Sequence, residues 1–203
     1  MKPHPKCPSG VLRALATPVC ALLLAAVPAA AQPARVPTGQ NSGASLVFAA
    51  GLAFPLDDFT DMVLNGWQAS LRAEYRVAPP LAAYLGARYA NFQLRSPDAD
   101  DNLAMIAPEV GLVFRPRAWS PLTPSFRAGA FLPQFSSGGE NSGAGIGIST
   151  GAGLELAVGD QFTLAAVGTG DFNTGRLKAG PFGPIPPKPG WLGVTVEGRF
   201  GFR

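Results

Sequence analysis

The feature that most constrains this chain is an alternation of apolar and polar residues, with a period of two, that recurs in eight segments. In the clearest segment, Trp67 to Val77, every second residue is apolar and the residues between them are polar or charged. A period of two is typical of strands with two unlike faces, whereas amphipathic helices repeat every 3.6 residues. The segments cover residues 45–54, 67–77, 81–91, 105–115, 125–132, 148–158, 162–172 and 192–202. The pattern predicts an all-β fold of eight strands.

The connections between these segments alternate between short and long. Those after the second and sixth segments are tight turns, Ala78-Pro79-Pro80 and Gly159-Asp160, and the one after the fourth is a proline-rich stretch of modest length. The other connections are longer and span residues 55–66, 93–104, 133–147 and 173–190. Short turns on one rim, long loops on the other and an even strand number predict an eight-stranded antiparallel up-and-down barrel.

The two faces of the strands indicate which side of the barrel wall faces outward. The apolar face carries no Asp, Glu, Lys or Arg and is also poor in uncharged polar residues, of which Thr150 is an exception. The polar face carries Arg72, Glu74, Arg76, Arg88, Glu109, Arg115, Arg127, Glu155, Asp171, Glu197 and Arg199. An arginine facing lipid near the midplane would cost about 2–4 kcal/mol, and an eight-stranded barrel has room inside only for side chains. We therefore predict a transmembrane barrel whose interior is plugged by an Arg/acid network.

The aromatic residues are sorted toward the ends of the strands. With a periplasmic N-terminus, one group lies near the outer rim: Phe54, Trp67, Tyr89 and Phe172. The other group lies near the periplasmic rim: Tyr75, Phe114, Phe126, Phe162 and Phe202. Two aromatic girdles separated by Ala, Leu and Val are typical of a membrane-spanning wall, although aromatic residues also favour strands in general.

The N-terminal segment has the composition of a secretory signal peptide. Residues 1–31 combine a basic start with an apolar stretch, Val19 to Val27, and end in the small residues before Gln32. We expect cleavage near Ala31, an exposed tether over residues 32–44 and the outer-membrane barrel over 45–203. The formal charge of +3 lies in this leader, because the remaining 13 basic residues equal the 13 acidic ones. A neutral chain of this kind gives no reason to expect a nucleic-acid partner.

The residue inventory argues against catalysis and metal binding. Both cysteines and the single histidine, His4, lie in the predicted leader, so the rest of the chain lacks a Ser-His or Cys-His pair. Gly147 to Gly151 spells the nucleophile-elbow string G-x-S-x-G, but Ser149 falls within a predicted strand. Acidic clusters at 57–61 and 98–102 are expected to be solvated loops rather than calcium sites. We predict no enzymatic activity, no catalytic residues, no metal and no cofactor.

With this pattern the chain resembles the small bacterial outer-membrane barrel proteins of the OmpA-transmembrane and OmpX-like type, the "porin family". The resemblance rests on Gly51 to Phe59, on Trp191 to Phe202 and on the strand pattern from residue 45. It implies a monomer in the bacterial outer membrane with a role in envelope integrity or surface contact. It also implies contact with outer-membrane lipids, recognition by the barrel-assembly machinery at a terminal aromatic residue such as Phe202, and an extracellular partner for the loops. Two alternatives stay open at this point, a narrow porin-like channel for small solutes and a soluble periplasmic lipocalin-like binding barrel.

Overall fold

A computed structural model describes residues 43–95, 102–116, 122–137, 140–142, 145–174 and 189–202. The predicted signal peptide lies outside these residues, as does the predicted tether apart from Gly43 and Ala44. The strands are β1 (Ala44–Leu56), β2 (Val63–Ala78), β3 (Leu81–Leu94), β4 (Asn102–Phe114), β5 (Leu122–Phe131), β6 (Gln134–Ser137), β7 (Glu140–Ser142), β8 (Gly147–Ala157), β9 (Phe162–Asn173) and β10 (Gly190–Gly201). One short 3-10 helix, Asp57–Asp61, connects β1 to β2. No helix in the described ranges has the length and apolar character that a membrane crossing requires.

The strands close into an antiparallel barrel. Each consecutive pair from β1 to β5 is hydrogen-bonded, β5 pairs with β8, and β9 and β10 lead back to β1. β6 and β7 extend this wall as a small hairpin beside β4. The barrel therefore has eight staves, and the predicted eight-stranded up-and-down transmembrane fold is confirmed. Closure removes every free sheet edge along the staves, which satisfies the backbone groups that hydrocarbon cannot.

β5 and β6 form one stave that is interrupted at Leu132 and Pro133, opposite Pro108 of β4. Glu109 pairs with Phe131 and Ile106 with Gln134, so the register against β4 is the same on both sides of the break. Pro133 has no N–H to donate, and the Leu132 N–H instead donates to the Pro108 carbonyl at 3.1 Å. Proline within a sheet is found at interruptions of this kind.

The strands extend further than the alternation predicted. The predicted loop over residues 55–66 contains the end of β1, the 3-10 helix and the start of β2, and the predicted loop over 133–147 contains β6 and β7. The predicted loop over 93–104 likewise contains the end of β3 and the start of β4. These three loop boundaries were wrong, because the residues added to the strands do not continue the apolar alternation outside the membrane layer. We call the end with the 3-10 helix and the β6–β7 hairpin the loop rim, and the end with Pro79, Pro80 and Gly159 the turn rim.

The wall has the two faces that the sequence predicted. Large apolar side chains point outward and are exposed, such as Leu85 at 66%, Val196 at 62% and Phe48 at 53%. The charged residues between them point inward, where Arg72 and Glu109 are each 2% exposed. An exposed apolar belt of this extent is unfavourable in water but matches a lipid environment.

Candidate functional site

The central layer of the barrel interior is organised around Arg88 on β3. Its guanidinium donates to Glu109 Oε2 on β4 at 2.7 Å and to Ser149 Oγ on β8 at 3.1 Å. It also forms an ion pair with Asp171 on β9, across the lumen. Thr169 donates a further hydrogen bond to Asp171 at 3.2 Å. Asp171 is fully buried and Arg88 is 4% exposed. The ionised side chains of this layer are therefore stabilised by one another rather than by water.

A second layer joins β2, β5 and β10 through Glu197. Arg72 Nη2 lies 2.7 Å from one carboxylate oxygen of Glu197, and Arg127 forms an ion pair with the other oxygen. The Arg72 guanidinium carbon also lies 5.5 Å from the centre of the Tyr84 ring, within the range of cation–π attraction. Glu197 therefore holds two arginines from different sides of the barrel.

A third layer lies toward the turn rim. Arg115 contacts Glu74 at 2.7 Å and Glu155 at 2.8 Å, which connects β2 to β8 across the barrel. Arg199 lies 2.9 Å from the second Glu155 oxygen and donates to Thr163 at 3.3 Å. Arg76 lies at the turn rim and is exposed.

The three layers are balanced in charge. Their ion pairs join Arg72, Arg88, Arg115, Arg127 and Arg199 to Glu74, Glu109, Glu155, Asp171 and Glu197. Ten of the eleven predicted interior residues thus lie together in the lumen, and Arg76 lies at its exposed end. Equal numbers of opposite charges keep the electrostatic cost of a filled, poorly hydrated interior low.

An aromatic cluster fills the interior at the loop rim, and the sequence reasoning missed it. Phe59 of the 3-10 helix packs edge-on against Phe92 with ring centres 5.2 Å apart. The ring centres of Phe92 and Phe131 lie 5.7 Å and 5.9 Å from that of Trp191. The indole N–H of Trp191 donates a hydrogen bond to Gln68 Oε1 at 3.4 Å. Trp191 and Phe59 are fully buried. The signal in the sequence was the parity of Phe92, Phe131 and Trp191, which share the strand face of the interior charges.

Little open volume remains between the layers. A cavity of about 80 Å³ opens at the turn rim, where Arg76, Arg115 and Arg199 contribute to its lining. A second cavity, of about 10 Å³, lies between Gln68 and Arg127 in the middle of the lumen. A single water needs about 10–15 Å³ of such volume. The cavity in the middle of the lumen is therefore no larger than the space that about one water needs.

Glycine on the inner wall makes room for Tyr84. A Cβ atom built on Gly129 would lie 2.2 Å from the Tyr84 hydroxyl and 2.6 Å from the Val110 carbonyl oxygen, and one on Gly111 would lie 2.6 Å from the same hydroxyl. The Tyr84 ring therefore lies against bare backbone on β4 and β5. Replacing either glycine forces a contact closer than carbon and oxygen atoms allow.

We expect Gly129→Ala to lower the free energy of unfolding in detergent by about 1–3 kcal/mol, the usual cost of overpacking. Gly159→Ala is the matched control, because nothing lies within 4 Å of a Cβ at that turn. The measurement is urea-induced unfolding followed by the gel mobility shift of the folded barrel. Equal midpoints for the two variants would show that Tyr84 does not depend on these glycines for its space.

The aromatic girdle positions lie on the outer face of the described strands. Trp67, Tyr75, Phe114, Phe126, Phe172 and Phe202 are exposed, and Phe54, Tyr89 and Phe162 are half-buried. Trp67 contacts Tyr89 with ring centres 5.1 Å apart, and Phe162 stacks on Phe48 at 6.5 Å.

The remaining sequence motifs take structural positions. Ser149 of the G-x-S-x-G string lies in the interior of β8 and accepts its hydrogen bond from Arg88. Of the acidic clusters, Asp57, Asp58 and Asp61 are exposed on the 3-10 helix, while Asp98, Asp100 and Asp101 fall outside the described residues. Among the side chains that the structure describes, no three acidic, histidine or cysteine residues are grouped to hold a metal ion.

Comparison with known proteins links the chain to one family model and to several solved structures. The model for the outer membrane protein beta-barrel domain matches residues 17–200. The crystal structure of Neisserial surface protein A has a TM-score of 0.62 and 20% identity, covering 79% of this chain and 98% of that one. OprG from Pseudomonas aeruginosa (TM-score 0.48, 12% identity, 79% and 98% covered) and Ail of Yersinia pestis (0.46, 17%, 78% and 99%) are also similar. No curated protein sequence matches the chain. At these identities the solved structures support the fold alone.

Proposed function

Because the chain belongs to the outer membrane protein β-barrel domain family, we propose that it serves envelope integrity or surface contact as a closed, non-conducting barrel of the bacterial outer membrane. The observation that carries this proposal is the filled interior. An aromatic cluster at the loop rim and three balanced charge layers leave a cavity of only about 10 Å³ in the middle of the lumen. A solute path of even one water's width requires a continuous opening through all of these layers.

The biogenesis that we propose rests on the composition of residues 1–31 and on the aromatic residue Phe202. Residues 1–31 act as the export signal and are removed near Ala31, and the barrel-assembly machinery recognises Phe202, which directly follows β10. Once inserted, the barrel contacts outer-membrane lipids through its apolar belt and is a monomer, since the belt closes on itself without a free strand edge. The loops at the loop rim face outward, where an extracellular partner can reach them.

A narrow channel is the second candidate function. The observation in its favour is the cavity of about 80 Å³ that opens at the turn rim and reaches Arg115. Conduction from there requires the Glu197 and Arg88 layers to rearrange and the cluster around Trp191 to open. A soluble lipocalin-like barrel fits poorly, because its apolar face would have to line the interior rather than the outside.

We expect the refolded protein to show no conductance steps in planar bilayers and to migrate on gels as a heat-modifiable band that only detergent extracts from membranes. Closed side-chain layers block ions, and a closed barrel resists unfolding by detergent below boiling. Stepwise conductance in the wild-type protein that changes with Arg72→Ala or Glu109→Ala would overturn the closed barrel in favour of the channel. Recovery in the soluble periplasmic fraction would overturn the membrane placement itself.

A further inference from the structure

The staves on one side of the barrel continue past the aromatic pair Trp67 and Tyr89 toward the loop rim. On β3 the chain runs on to Leu94, and β4 and β6 continue beside it. Outward-facing side chains along this extension carry amides and hydroxyls, and we call them the amide strip. Its members are Asn65, Asn91, Gln93, Asn102, Gln134 and Ser136.

The polarity of the wall reverses within this extension. Below it, the outward residues are apolar and the inward ones charged. Within it, the outward residues are mostly polar, with Leu64 and Ala104 as the apolar exceptions, while Phe92, Met105 and Phe135 are fully buried on the inner face. Such a reversal marks the level at which the surroundings change from hydrocarbon to a hydrated layer. The amide strip therefore begins where the lipid headgroups begin.

Among the described residues, the strip lies on the side of the barrel formed by β2, β3, β4 and β6. Across the barrel, the last outward side chains of β9 and the first of β10 are apolar, with Phe172 and Leu192 exposed by 50% and 47%. Within the described ranges, the amide strip is thus a local surface of the wall rather than a ring around it.

Register places the strip residues side by side. Gln93 on β3 pairs with Asn102 on β4, and Ala104, two residues further along β4, pairs with Ser136 on β6. Asn91 donates to the Tyr89 hydroxyl at 3.2 Å, which links the strip to the aromatic pair. Four residues from Tyr89 to Gln93 span about 13 Å along the strand. The surface therefore reaches from the headgroup level outward.

We propose that the amide strip, together with Trp67, binds the sugar portion of the outer-leaflet glycolipid, an inference that rests on the proposed membrane placement. Side-chain amides offer both N–H donors and carbonyl acceptors, which is the combination that sugar hydroxyls require. Half of the Trp67 surface is exposed beside the strip and presents an apolar aromatic body at the interface. The six strip residues are uncharged, whereas Arg95, exposed two residues after Gln93, is placed to meet the phosphates that lie at the headgroup level. The amides are therefore the part of this surface that recognises sugar hydroxyls.

The test compares two glycolipids on the whole barrel in phospholipid nanodiscs. One probe is lipopolysaccharide with its core sugars, and the other is lipid A, which keeps the acyl chains and phosphates but lacks the core. We expect wild-type protein to bind the core-bearing probe about tenfold more tightly, the effect of a few added hydrogen bonds. Gln93→Ala/Asn102→Ala is expected to abolish that preference and leave lipid A binding unchanged, whereas Gln161→Ala, exposed at the turn rim, retains it.

The outcomes separate the sugar site from the membrane placement. Wild-type protein that inserts but binds the two probes equally would overturn the sugar site, because acyl chains or phosphate would then account for all binding. A preference that survives the double substitution would move the site away from the strip and likewise overturn the proposal. Failure of the wild-type protein to insert, as judged by the absence of a heat-modifiable band, would contradict the proposed function instead.

Discussion

Replacing Arg88 with methionine is expected to lower the free energy of unfolding by about 3–5 kcal/mol, the cost of leaving a buried charge without its partner. Two carboxylates depend on this one guanidinium, since it contacts Glu109 at 2.7 Å and pairs with Asp171. Both acids are almost completely shielded from water, at 2% and 0% exposure. Methionine keeps the unbranched apolar part of the side chain but is shorter and uncharged, so a second variant is needed to separate charge from packing. Urea unfolding in detergent micelles, followed by the gel shift of the folded barrel, measures it.

A neutral version of the same cluster distinguishes charge from shape. Arg88→Met/Glu109→Gln/Asp171→Asn removes all three charges, and we expect it to recover at least about half of the lost stability, because neutral isosteres of a buried network are often tolerated. Arg95→Met is the control for the substitution itself, since Arg95 is exposed at the loop rim and an exposed charge contributes little. If Arg88→Met were as stable as the control, the central layer would be hydrated rather than closed, which would contradict the filled interior.

The strand pattern made the fold and the orientation of its wall predictable. Because successive side chains point to opposite faces, the position of Arg72 between Leu71 and Ala73 was enough to assign it to the lumen once lipid was placed outside. The same parity placed Glu109 and Asp171 inside. Assigning a residue to the inner or outer face does not require knowing which strands are neighbours in the barrel.

Pairing inside the lumen was not predictable from the chain. Arg88 meets Asp171 across the barrel, and Glu197 holds Arg72 and Arg127 from different strands. Such partners depend on strand tilt and stagger, which are properties of the closed barrel and not of any one segment. The alternation of apolar and polar residues gives the face on which a side chain lies. Its height along the barrel axis follows only from the register between paired strands.

The closure at the loop rim was missed for a related reason. The sequence reasoning treated the inner face as uniformly polar, so Phe92 and Trp191 were not considered as interior residues, and Phe59 fell in a predicted loop. In the structure the 3-10 helix carries Phe59 back over the barrel mouth, where it is fully buried against Phe92. Above the membrane layer a barrel interior follows the ordinary rule of proteins in water, with apolar groups buried together.

The aromatic cluster predicts the second large effect. Trp191→Ala is expected to lower the free energy of unfolding by about 3–5 kcal/mol, the usual cost of truncating a fully buried large aromatic residue. The indole loses its contacts with Phe92 and Phe131, and Gln68 loses its hydrogen-bond donor. Trp191→Phe keeps most of the apolar volume and is expected to lose less. Equilibrium unfolding in micelles gives both values.

Conductance of the same variant then tests whether the barrel is closed at more than one level. Trp191→Ala opens space at the loop rim, but Arg88 and Glu197 still bridge the lumen below it, so planar bilayers should show no conductance steps. Arg88 also lies 5.2 Å from the centre of the Phe131 ring, so the charge layer and the aromatic cluster are in contact yet built from separate residues. Because each layer spans the lumen by itself, a folded Trp191→Ala barrel that conducts would show that the charge layers are permeable. That result would shift the functional assignment from a structural barrel to a gated channel.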